Sequence, residues 1–282
     1  MPLSSAEVQA RMNEYARRWE VTLQRVVSTP TSLLGFGTRC DVPVVVKATR
    51  STSDERWPGA VAAAFDGEGM VRVHAHAAGI ALLEHVSPGT PLVEVVRQGD
   101  DAAATRILAG VIATLHQTDR PTGGFHGVEA WGEGFARYER SGDRQIPPVV
   151  VEQARSRYAR LCGSQGRQRL LHGDLQHYNV LKDRSRGWVA IDPKGIVGEL
   201  EFELGAALRN PHGEPALYST SAVVERRIRW FGEHLIIDAK RVIEWAYAQA
   251  VLSAIWTVED EGILPAADPA LRLAAALEPL VS

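Results

Sequence analysis

The stretch Leu171-His172-Gly173-Asp174-Leu175-Gln176-His177-Tyr178-Asn179-Val180-Leu181 runs from an apolar segment into a glycine turn bearing a carboxylate, with an amide five residues later. Ala190-Ile191-Asp192-Pro193-Lys194-Gly195 then ends a second apolar run in another carboxylate, eighteen residues after Asp174. Leu170–Leu181 and Trp188–Asp192 read as short strands flanking a polar loop. Asp174, Asn179 and Asp192 are therefore presented on tight loops. His-Gly-Asp alone also fits an Asx-capped β-turn. Joined to Asn179 and Asp192 it forms a chemically coherent set. Transfer of a phosphoryl group from a nucleoside triphosphate needs one carboxylate to orient a hydroxyl and take its proton. It also needs an amide oxygen and a second carboxylate to hold a divalent ion on the phosphates. Mg²⁺ prefers hard oxygen donors, which Asn179 and Asp192 supply.

Composition sets the frame around this loop. The 282 residues carry 31 Lys and Arg against 34 Asp and Glu, for a formal net charge of −3, with 45% hydrophobic and 23% charged residues. Such a chain is globular and long enough to divide its core between two lobes. The lack of a basic surplus argues against a nucleic-acid coat. Two cysteines, Cys40 and Cys162, exclude a disulfide scaffold. No apolar run approaches the roughly 18 residues of a membrane helix. The polar opening Ser4, Ser5, Glu7 and Gln9 lacks a signal-peptide core, so a cytoplasmic protein is expected.

Before the loop, Ser4 and Glu7 have capping-box spacing, and Val8, Met12, Tyr15 and Trp19 share a helical face. Short β-type runs follow at Val21–Val27, Ser32–Phe36 and Val42–Ala48, then a helix over 54–65, then runs at Val71–His76 and Ile80–Val86. Gly35-Phe36-Gly37 reads either as a flexible hairpin turn or as a shortened nucleotide-positioning loop. His74 and His76 fall on one strand face with no third ligand nearby, so a packed or surface pair is expected. Pro88-Gly89 marks a boundary between residues 1–87, a β-rich nucleotide lobe, and 88–282, a mostly helical catalytic and acceptor lobe. Helices are expected over 101–116, 222–257 and 268–280. The run Arg155, Arg157, Arg160, Arg167, Arg169 reads as a solvated face rather than a polyanion site.

His172-Gly173-Asp174 with Asn179, and Asp192 downstream, resembles the catalytic loop and metal-binding aspartate of the kinase-like phosphotransferases. The glycine after His172 resembles the aminoglycoside phosphotransferase branch. Ile191-Asp192-Pro193-Lys194-Gly195-Ile196-Val197-Gly198-Glu199, Leu208-Arg209-Asn210-Pro211 and Asp66-Gly67-Glu68-Gly69-Met70-Val71-Arg72 are similar to the aminoglycoside 6-phosphotransferase (streptomycin kinase) and hydroxyurea resistance kinase subgroup. The likeness runs from about residue 30 to residue 261. It implies a two-lobed, kinase-like α+β fold, with ATP and Mg²⁺ as cofactors. It also implies that Lys47, closing Val44-Val45-Val46-Lys47, contacts the α/β-phosphates, with Glu55 as partner and Asp54 and Glu68 as rivals. Glu84-His85-Val86 becomes the adenine-binding edge through its backbone, with Asn179 and Asp192 on the metal and Asp174 as the base.

Two acidic stretches bear on the acceptor: Asp192, Glu199, Glu201 and Glu203, and then Glu259, Asp260, Glu261 and Asp268 after Trp256. Each acid alone is explained by loop solvation. As a cluster beside an aromatic surface, with Glu199, Trp256, Glu259 and Asp260 foremost, they suit a polycationic, multiply hydroxylated ligand. Phe202-Glu203-Leu204 reads instead as a structural anchor for the loop. The expected acceptor is a small cationic aminoglycoside, streptomycin at its 6-hydroxyl, rather than nucleic acid or a membrane, on a monomer or weak dimer. A kinase for hydroxyurea or another small hydroxyl metabolite is the alternative, and a silent nucleotide-binding module is a third reading.

Overall fold

The computed structural model describes residues 3–50 and 58–281, so Asp54 and Glu55 lie outside the described residues. Down the chain run α1 (Ser5–Arg18), β1 (Thr22–Ser28), β2 (Ser32–Arg39), β3 (Val42–Thr49), α2 (Pro58–Ala64), β4 (Val73–Ala77), β5 (Ile80–Glu84) and β6 (Pro88–Pro91). Next come α3 (Val93–Arg97), α4 (Asp101–Leu115), α5 (Val128–Ser141), α6 (Pro148–Cys162), β7 (Arg169–Leu171), β8 (Val180–Asp183), β9 (Gly187–Ala190) and β10 (Ile196–Gly198). Helices α7 (Leu200–Leu208), α8 (Ser221–Gly232), α9 (Ala239–Glu261) and α10 (Pro269–Val281) follow. Two compact units result: Met1–Pro91 with Thr114–Arg120 and Asn179–Gly195, and Leu92–Ala113 with Pro121–Tyr178 and Ile196–Ser282.

The first unit is built on an antiparallel sheet of order β1-β2-β3-β5-β4, with a second sheet β6-β8-β9. The capping box forms: Ser4 Oγ accepts from Glu7 N–H and Glu7 accepts from Ser4 N–H at 2.7 Å. Helix α1 lays Val8, Met12 and Ala16 on Leu33, Val44, Val46, Ala48, Ile80 and Leu82. Strand side chains alternate between faces, so burying Val44, Val46 and Ala48 against α1 turns Lys47 to the other face. The hairpin turn lies at Cys40-Asp41, both at positive φ (48° and 62°), rather than at Gly35-Phe36-Gly37. Both glycines sit inside β2 because no side chain fits there. A Cβ on Gly35 would lie 2.8 Å from Leu23 Cδ2, and one on Gly37 2.2 Å from Thr22 O. His74 and His76 are both exposed on β4.

The second unit is organised around α9, whose Trp245, Tyr247, Val251, Leu252 and Ile255 are all buried. The helical stretch expected over 222–257 is divided between two helices. Gly232 closes α8, and Asp238 caps α9 by accepting from Arg241 N–H at 3.2 Å. Strand β7 pairs antiparallel with β10, aligning Leu171 with Ile196, so α7 enters directly behind the His172 loop. The fold engages part of the arginine run: Arg155 pairs with Glu152 and Glu139, Arg160 with Glu244, and Arg157 stacks on Tyr247.

Candidate active site

In the first unit, strand register brings Lys47, Asn179 and Asp192 together. The β8–β9 hairpin pairs Val180 with Ala190, which places Asn179 across from Ile191 and next to Asp192. Ile191 N–H donates to Asn179 O at 2.9 Å and closes the arrangement. Asp192 adopts φ +60°, a left-handed conformation that a non-glycine residue holds only when its surroundings impose it. Those surroundings are visible on both sides. Ala190 N–H donates to Gly69 O at 2.7 Å and Val71 N–H to Ala190 O at 2.8 Å, while Gly195 packs on Val61 of α2. The Lys47 ammonium, reaching from β3, makes an ion pair with Asp192 Oδ1. Glu68, one of the acids weighed as a partner for Lys47, is instead engaged by Arg120 and Thr118.

Gly35, against Met12 of α1, and Gly37, against the Thr22 backbone of β1, both lie inside β2 and not in a loop. Glu84 ends β5 with its carboxylate engaged by Arg186 and by Arg72 N–H, so its side chain belongs to that network. Val86 is buried.

In the second unit, Asp174 follows Gly173, whose φ of +82° makes the turn, and its N–H donates to His172 Nδ1 at 3.2 Å. The loop is clamped from beneath by Glu203 of α7. Its carboxylate, 1% exposed, accepts from His172 N–H at 2.6 Å and Gly173 N–H at 2.9 Å. Burial pushes the Glu203 carboxyl up to about 7, against those backbone donors and with a further push from the Asp174 charge. His177, buried with both ring nitrogens unbonded, is held well below the ordinary imidazole value by desolvation and by Arg227.

The acidic residues sort into two fates. Trp256 and Asp260 line a cavity of about 430 Å³ together with Arg209, His212, Ser253, Thr257, Glu261 and Asp268. Trp256 stands edge-on to Trp131 at 5.4 Å, at the border of an aromatic cluster with Phe202, Tyr158 and Trp245. Tyr178, beside the catalytic-type loop, donates to His212 O at 2.9 Å and so ties that loop to the cavity wall. Glu199 and Glu259 do not join this cavity. Glu199 is buried under Trp245 Nε1, Arg241 and Gly166 N–H, and Glu259 takes Arg137 in a two-pronged pair at 3.1 and 3.2 Å. Sequence reasoning overlooked Arg209 and His212. Arg209 lay in the segment Leu208-Arg209-Asn210-Pro211 that carries the family resemblance, but locally that segment reads as a helix stop, which marks a terminus and not a ligand.

This architecture is that of the kinase-like phosphotransferases. The fold matches a thermostable mutant of the aminoglycoside phosphotransferase APH(4)-Ia, solved with AMP-PNP and hygromycin B, with a TM-score of 0.67, 14% identity, and 96% of this chain and 97% of that one covered. The chain belongs to the aminoglycoside/hydroxyurea antibiotic resistance kinase family, whose model matches residues 18–261. It is 32% identical over 226 residues to the streptomycin 3''-kinase of Klebsiella pneumoniae, covering 78% of this chain and 82% of that protein. It is also 32% identical to the streptomycin 6-kinase of Streptomyces griseus, again over 226 residues, covering 76% and 70%. The chain is thus a phosphotransferase. Among the described residues no helix is long and apolar enough to cross a membrane.

Proposed function

We propose that this kinase moves the γ-phosphoryl group of ATP to a hydroxyl of a polycationic aminocyclitol antibiotic, with the streptomycin 6-hydroxyl foremost. The observation that carries the reading is the cavity of about 430 Å³ in which Asp260, Glu261 and Asp268 stand beside Trp256. Carboxylates recognise guanidinium and ammonium groups by charge-assisted hydrogen bonds, and an indole face adds sugar or cation contact. A volume of this size exceeds what hydroxyurea alone fills.

In this reading Lys47 binds the α/β-phosphates, and the backbone of Glu84–Val86 meets the adenine. Asn179 and Asp192, an amide and a carboxylate carried at the same end of the β8–β9 hairpin, are hard oxygen donors of the kind Mg²⁺ takes. When bound, that ion supplies neutralising charge on the phosphates. Asp174 orients the acceptor hydroxyl and takes its proton. The acceptor oxygen bonds to the γ-phosphorus as the bond from phosphorus to the β–γ bridging oxygen breaks, and ADP leaves.

Mass spectrometry and NMR of products from streptomycin, other aminoglycosides and hydroxyurea with Mg·ATP test this directly. A streptomycin product carrying one phosphoryl group on the 6-oxygen is expected. Phosphorylated hydroxyurea with no aminoglycoside product would overturn the reading, and a 3''-phosphate would overturn its regiochemistry.

A further inference from the structure

The acceptor cavity is not uniformly acidic. The C-cap of α7 and the loop after it contribute Arg209 and His212, whereas α9 and the turn before α10 contribute Trp256, Asp260, Glu261 and Asp268. Arg209 is only 8% exposed. Its Nη1 donates to Gln249 Oε1 at 3.0 Å, and Gln249 Nε2 donates onward to Phe202 O at 2.8 Å. Gln249 is itself immobilised, because α7 and α9 approach so closely at Gly205 that a Cβ there would lie 2.3 Å from Gln249 Oε1. A guanidinium held this way is a fixed charge rather than a swinging surface cation. Asp174 is within its electrostatic reach. Burial lowers the hold of Arg209 on its proton, and the Asp174 carboxylate acts in the opposite sense.

We propose that Arg209 decides which acceptor hydroxyl reaches Asp174, by making the cavity electrically two-sided. The inference rests on the polycationic acceptor argued above. A cationic antibiotic entering the cavity is drawn by Asp260, Glu261 and Asp268 and repelled by Arg209. Its charged groups therefore settle on the α9–α10 wall, and a neutral hydroxyl face is left toward Asp174. Without the guanidinium, an acceptor ammonium or guanidinium pairs with Asp174 itself, which occupies the base in an unreactive orientation. Arg209 is in this sense a positioning and specificity residue, acting through the substrate and through Asp174.

The test compares wild type, Arg209→Gln and Arg209→Lys with streptomycin and Mg·ATP, after matching their thermal unfolding. Arg209→Gln should lose kcat on the order of tenfold, as expected for misorientation of a bound reactant. Its KM for streptomycin should hold or fall, and more than one phosphorylated isomer should appear by NMR. Arg209→Lys should restore the single isomer. A single isomer from Arg209→Gln with wild-type kcat, or with a raised KM, overturns the proposal. If Arg209→Gln does not fold, Gln249→Leu carries the test, since it keeps the charge and loosens it. A second isomer supports the proposal there, and wild-type kcat with one isomer overturns it. Wild-type protein that phosphorylates no aminoglycoside overturns the functional reading itself, a result distinct from an active enzyme indifferent to Arg209.

Discussion

The Glu203 carboxyl sits at about 7 in the folded protein against an ordinary 4.5, because burial disfavours its charged form. A carboxyl raised on folding binds a proton as the chain folds. Its contribution to stability is complete below about pH 4.5 and fades as pH rises through about 7. His177 and His212, both lowered, slope the other way below pH 6.5, so a wild-type profile alone mixes these effects. The difference between wild type and Glu203→Gln isolates the first: denaturant unfolding should show a gap that narrows from pH 4.5 to 7.5, and a pH-independent gap would refute the protonation. At Asp174, replacement by Ala should cost at least the roughly 10²–10⁴-fold in kcat typical of a positioned general base. Calorimetric nucleotide affinity should be nearly unchanged, and wild-type turnover would remove the assigned role. The placement of Asp174 on a glycine turn and of Asn179 and Asp192 at one hairpin end was legible from local loop and strand signals, whereas the Lys47–Asp192 pair joins positions 145 residues apart. Glu199 was misread because its partners Arg241 and Trp245 are more than 40 residues away, and an acid in a string gives no sign of whether it faces solvent or an indole.

Among elements, α9 contributes most to the cavity lining, and α7 joins the cavity to the His172 loop, carrying Glu203 within it and Arg209 at its end. The C-terminus of α7 is secured by Arg227 of α8, which donates to Ala207 O at 3.2 Å and Asn210 O at 2.7 Å and pairs with Asp101 at 2.7 Å. Arg227 is 1% exposed, so Asp101→Ala strands a buried cation. A loss of about 3–5 kcal/mol in denaturant unfolding is expected, and a loss near zero would show that water or another acid replaces Asp101. In the other unit, Gly37→Ala should destabilise by about 1–3 kcal/mol, since its methyl would meet the Thr22 carbonyl. An unchanged melting temperature would mean that β1 yields freely. Most strands and helices were readable from period and turn residues. The Cys40-Asp41 turn was not, because the glycine pair offered the stronger turn signal while serving close packing.

At the scale of the molecule, a net charge of −3 says little about partners, because the charge that matters is local. The cavity carboxylates should make the KM for a cationic acceptor rise with ionic strength, up to about 1 M salt where the Debye length is near 3 Å. Steady-state kinetics in increasing NaCl measures this, and a flat KM would argue against charge-led binding. The β-rich and helical halves were legible from composition along the chain, whereas the crossing of the chain between units was not, since it depends on pairings over about ninety residues. Strand β6 lies in the amino-terminal segment, yet its neighbour β8 comes from Val180–Asp183. A hybrid that swaps the first 91 residues for those of a related kinase would therefore import a sheet whose missing strands still come from the host. Successful grafts should require Asn179–Gly195 to travel with the amino-terminal piece.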